Sequence, residues 1–166
     1  MVPAVDQNLS NLSEQEQEAL AWAAEFRAGS LTEYLDRDNW YEAAVLLSKE
    51  DFNFAVQAVD FSIWNHTAAL ALVAVWGAIE RLFSPSNQEL SFRVAANIAS
   101  FLEPAGRERY ACFKKVKALY DSRSKAAHGA GEADMMPYAE SYAIARRVIL
   151  KMTLVSKLSF HAAVPV

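Results

Sequence analysis

The stretch Lys117–Gly131, KALYDSRSKAAHGAG, decides how the rest of the chain is read. It closes a long amphipathic helix, and it puts an arginine where the helical period asks for an apolar side chain. Counting back from Arg123 in helical steps meets Tyr120, Leu119 and Val116, and counting forward meets Ala126 and Ala127, so the guanidinium falls on the inward stripe. Burying an unpaired charge costs on the order of several kcal/mol. Arg123 therefore requires an acidic partner, a hydrated cleft or an anionic ligand.

His128 follows five residues later, with Gly129 directly after it. A fixed cation beside a group that titrates near neutrality is what phosphodiester chemistry without a metal needs. On an ideal helix, however, five residues leave the two side chains about 140° apart. Either Gly129, as a left-handed C′ residue, lets the imidazole swing back from the helix end, or a symmetric dimer lines one cleft with two copies of the motif. A histidine before glycine is also an ordinary way to finish a helix, because the imidazolium is favoured by the helix dipole.

Outward from this stretch, composition sets the frame. With 166 residues, 53% hydrophobic, the chain can bury one good core but not two. Five glycines and five prolines leave little for long loops, and Ala, Leu, Glu, Gln, Lys and Arg dominate, so an all-α fold is expected. The single cysteine, Cys112, rules out an internal disulfide and reads as a core residue, which places the chain in a reducing, cytoplasmic setting. The start has no signal-peptide pattern, and the longest apolar run, Ala68 to Ile79, is short of the ~20 residues a bilayer needs, so no membrane partner is expected.

The net charge of −4 argues against a general nucleic-acid coating protein, but its distribution is uneven. Residues 1–51 hold three basic and eleven acidic side chains, whereas residues 105–128 hold seven basic and two acidic ones. The positive segment is the one that carries Arg123 and His128. A solvated lysine-rich helix face would produce the same pattern.

In chain order, Ser13 and Glu16 form a capping box for a first helix with Leu20, Ala23, Ala24 and Arg27 on successive turns, closed by Gly29. Short helices are expected at Thr32–Leu35 and at Asn39–Ser48, the latter N-capped by Asp38 and striped by Trp40, Ala43, Ala44 and Leu47. Asp51–Val59 also reads as helix. A long helix then runs from about Asp60 to Phe83, apolar over most of its surface, with Glu80 as its anomaly on the face of Val73, Trp76 and Phe83. Two opposite charges on inward faces stabilise a fold only when they meet, so Glu80 is expected to approach Arg123.

A break at Pro85 and a second capping box, Ser86 with Glu89, open a helix from about Asn87 to Leu102, with Leu90, Val94, Ile98 and Phe101 inward. The helix from about Ala105 sends Tyr110, Phe113, Val116, Leu119 and Tyr120 to the core while Lys114, Lys115 and Lys117 face out, and Asp121 is expected to pair with Lys125. Pro137 suits the first turn of a last helix to about Phe160, with Tyr138, Tyr142, Ala145, Ile149 and Met152 on one face. His66 reads as a hydrogen-bonded helix residue, and no set of residues at metal-ligand spacing is present.

The segment ALVAVWGAIERLFSPSNQELSFRVAANIASFLEPAGRERYACFKKVKALYDSRSKAAHG resembles the HEPN superfamily, and within it the Apea-like branch. The likeness rests on an apolar helix ending in Glu-Arg-Leu-Phe, an Arg-Val-Ala stretch in the next helix, and a terminal Leu-Tyr-x-x-Arg-Ser-x-x-x-His-Gly. It implies a HEPN-like four-helix bundle, expected at residues 59–160, whereas the acidic helical layer expected at residues 1–58 lies outside the likeness and residues 161–166 read as a tail. It further implies a homodimer, and a metal-independent endoribonuclease of a toxin or antiviral defence system, with an antitoxin or other partner protein possible. Arg123 and His128 would be the catalytic pair, Glu80, Tyr120 and Ser124 would support them, and Lys114, Lys117 and Lys125 would bind RNA. Neither metal nor cofactor is called for. Many nuclease members carry Asn, Asp or His where this chain has Ser124, and some members are non-catalytic RNA- or nucleotide-binding modules, which is the alternative.

Overall fold

Helix α3, Ala68–Phe83, is apolar around most of its circumference and, among the described residues, has four other helices packed against it. The computed structural model describes residue 31 and residues 40–83, 90–128 and 134–163, side chains being described at 31, 44–83, 91–128 and 134–156. The described elements are α1 (Trp40–Leu47), α2 (Glu50–Ser62), α3, α4 (Leu90–Leu102), α5 (Arg107–Ala127) and α6 (Met135–Ala163). Among the described residues there is no strand, as the composition requires, and no helix long and apolar enough to cross a membrane. The expected helices at residues 13–29 and 32–35, both capping boxes and the cap glycine Gly129 lie outside the described residues.

Helices α3, α4, α5 and α6 each touch the other three, while α2 lies along α3. Trp76, Leu72, Val75 and Ile79 of α3, Val94 and Ile98 of α4, Val116 of α5 and Val148 and Ile149 of α6 are buried together. Each such side chain contributes about 1.5–3 kcal/mol. The indole of Trp76 and the hydroxyl of Ser62 are matched: Trp76 Nε1 donates to Ser141 Oγ at 3.0 Å, and the Ser62 hydroxyl donates to the Val59 carbonyl at 2.6 Å while lying 3.0 Å from the Tyr138 hydroxyl. These helices belong to one unit, Leu31–Val166, and the boundary expected near residue 58 falls inside α2.

Several expectations are corrected. The helix read from Asp60 to Phe83 is broken at Ile63–Thr67, where Asn65 Nδ2 donates to the Ser62 carbonyl and Thr67 Oγ1 accepts the Leu70 N–H. Those two side chains serve as local caps, which ends α2 and starts α3. His66 consequently sits exposed in the connection rather than in a helix. Among the described side chains of α1 the buried one is Leu46, whereas Ala44 is exposed. Tyr110 is 63% exposed: the inward stripe of α5 is Val116, Leu119 and Tyr120, and Tyr110 lies on the other side of that helix. Cys112 is only half buried.

The turn into α5 depends on Gly106, whose φ of 134° and ψ of −155° belong to glycine alone. The carbonyls at the end of α4 are also covered. Lys151 Nζ donates to the Leu102 carbonyl and Arg109 Nε to that of Glu103, so α5 starts from a fixed corner.

Candidate functional site

The last turns of α3 and α5 bring Glu80 and Arg123 together, as two inward charges of opposite sign require. Arg123 NH2 donates to Glu80 Oε2 at 3.3 Å and lies 3.2 Å from Oε1. Both side chains are mostly covered, with 24% of Arg123 and 19% of Glu80 exposed. The contact uses one nitrogen and is not a two-pronged fork. Among the described residues, Arg123 Nε and Glu80 Oε1 are buried without a hydrogen-bond partner. The pair thus retains unused donor and acceptor capacity on its covered side.

Tyr120, one turn before Arg123, forms the floor. Its ring centroid lies 5.6 Å from the guanidinium carbon, and it meets Trp76 edge-on at 5.1 Å. Burial, and then the neighbouring Glu80 carboxylate, hold the Tyr120 phenol above the ordinary tyrosine range, with Arg123 opposing them. The phenol is a neutral supporting wall for the cation. The Cys112 thiol is likewise pushed up, by burial and then by Glu103, with Arg147 and Lys115 opposing.

His128 caps α5 with φ −94° and ψ 7°, its N–H lying 3.2 Å from both the Ser124 and the Lys125 carbonyls. The helix stays regular to its end, so the angular separation between Arg123 and His128 persists: the guanidinium turns inward and the imidazole is exposed. Among the described residues the His128 ring has no hydrogen-bond partner. Ser124 is half buried and contributes its backbone carbonyl to the cap.

The lysines sit on the outer face. Lys117 lies 3.8 Å from Asp121, which corrects the expected Asp121–Lys125 pair, and Lys115 meets Glu140 at 2.7 Å. Lys114 lies over the Tyr110 ring, and Lys125 is exposed without a partner among the described residues. Among the described residues no group of three or more His, Cys, Asp or Glu is placed to hold a metal ion. Comparison with protein-family models, with curated proteins and with solved structures gives no match.

Proposed function

We propose that this chain is a metal-independent endoribonuclease of the toxin or antiviral-defence type, acting as a HEPN-like helical homodimer. The observation that carries the reading is Arg123, anchored by one nitrogen to Glu80 with 24% of its side chain still exposed, near the end of a helix that finishes on His128. In this reading two copies of the α5 end face one cleft, which overcomes the angular separation within a single chain. The ribose 2′-hydroxyl attacks the adjacent phosphorus while His128 accepts its proton. The bond from phosphorus to the 5′-oxygen breaks, an imidazolium returns a proton to that oxygen, and a 2′,3′-cyclic phosphate remains. Arg123 stabilises the charge that builds on the phosphoryl oxygens, Glu80 and Tyr120 hold Arg123 in place, and Lys114, Lys117 and Lys125 attract the strand.

A second reading, a non-catalytic RNA- or nucleotide-binding dimerisation module, is favoured by Ser124 beside Arg123 and by the exposed, unpaired position of His128. Labelled RNA incubated with EDTA separates the two. Cleavage by the wild type that is lost in both Arg123→Ala and His128→Ala, with the fold retained, supports the nuclease. RNA bound and left intact by the wild type supports the module.

A further inference from the structure

The outer face of α5 holds a second arrangement, which shares His128 with the proposed catalytic pair but leaves Arg123 out. Taking Tyr110 as the origin, Lys114, Lys117, Asp121, Lys125 and His128 all fall within about 60° of one line along the helix, and all are exposed. The stripe extends eighteen residues, so its two ends are ~27 Å apart. At its start lies an aromatic pad. Phe92 of α4 is 56% exposed and Tyr110 is 63% exposed. Phe92 packs edge-on against the half-buried Phe113 at 5.3 Å, and Lys114 Nζ stands 5.7 Å from the centre of the Tyr110 ring.

Exposed aromatic faces next to lysines suit bases and phosphates respectively. Protein interfaces are depleted in lysine at their centres, whereas a polyanion draws it in. Stacking on a ring also demands an unpaired base, because the bases of a duplex already stack on each other. Arg107–Ala127 has seven basic residues against Glu108 and Asp121, so the stripe lies on the most positive element of the chain.

We propose that this face is a track for single-stranded RNA, with bases stacked on Phe92 and Tyr110 and the backbone running over Lys114, Lys117 and Lys125 toward His128. The choice of RNA as occupant rests on the function proposed above. The track's length corresponds to on the order of four to eight nucleotides, within the usual range for single-strand sites. It gives the enzyme a preference for unpaired RNA and makes His128, at the far end, the group that the strand reaches.

Binding of a labelled single-stranded 2′-O-methyl oligoribonucleotide, which resists cleavage, tests this with the full chain. The wild type should bind the single strand in preference to its duplex. Phe92→Ala and Tyr110→Ala should each weaken binding about tenfold or more without changing the salt dependence, and Tyr110→Phe should keep full affinity. Lys114→Ala should weaken binding and make the salt dependence shallower, by roughly 0.7 in logarithmic slope. Wild-type binding that survives both aromatic truncations overturns the track and leaves the RNA reading standing. No binding by the wild type overturns both. A Tyr110→Ala variant that changes sedimentation but not RNA affinity assigns the pad to contact between protein copies and overturns the track.

Discussion

Arg123 offers one nitrogen to Glu80, 3.3 Å from Oε2 and 3.2 Å from Oε1, across the last turns of two helices that both bury their apolar faces. This contact stabilises the fold and also fixes the cation proposed to serve the chemistry, and the two contributions can be measured apart. Glu80→Gln leaves a half-buried guanidinium without its counter-charge, and should lower unfolding free energy by about 1–3 kcal/mol. In a cycle with Glu80→Ala and Arg123→Ala, denaturant unfolding should give a coupling of about 0.5–3 kcal/mol. Additive effects would mean that the contact contributes nothing to stability.

The core has a polar joint that should be just as sensitive. Trp76 is fully buried and its indole N–H has Ser141 Oγ as partner. Ser141→Ala strands that donor and should cost about 1–3 kcal/mol. An unchanged melting temperature would show that the indole finds another acceptor.

Two glycines should respond in opposite senses to alanine. Gly106 has φ 134°, so Gly106→Ala is strained although a Cβ there would meet nothing within 4 Å, and a loss of about 1–3 kcal/mol is expected. Gly77 lies inside α3, also with open space where a Cβ would go, and Gly77→Ala should stabilise by about 0.5–1 kcal/mol. Calorimetry that shows the two variants shifting in the same direction would contradict these assignments.

Alkaline pH should loosen the packing of α6 on α2. Burial pushes the Tyr138 phenol up to about 12 from an ordinary 10. The Ser62 proton is already given to the Val59 carbonyl, so Tyr138 donates to Ser62. A raised pKa means that the folded state holds the proton longer than the unfolded state. The stabilisation is therefore complete below pH 10 and is lost as pH rises through about 12. Tyr138→Phe should flatten the fall of unfolding free energy across that window. A fall of the same steepness in the variant would assign it to other groups.

Much of this arrangement is legible in the residues alone. The helical period puts Val116, Leu119, Tyr120 and Arg123 on one stripe and Glu80 on another inward face, and charge pairing then joins Arg123 to Glu80. Periodicity does not reveal the break at Ile63–Thr67, because it depends on two side-chain hydrogen bonds, from Asn65 and to Thr67, within a run whose propensities still favour helix. Nor does it place Tyr110. An aromatic near a helix start fits either face, and its exposure follows from where the α5 core stripe lies. Asp121 has lysines four residues away on both sides, so spacing leaves its choice of Lys117 over Lys125 open.

The central claim, that Arg123 and His128 act on a phosphodiester without a metal, is tested most directly by the chemistry of the RNA ends. After incubation with EDTA, mass spectrometry of the fragments should find 2′,3′-cyclic phosphate ends opposite 5′-hydroxyl ends, and neither in His128→Ala. Intact RNA under all conditions, or fragments that form only with a divalent metal and carry 5′-phosphates, would contradict it.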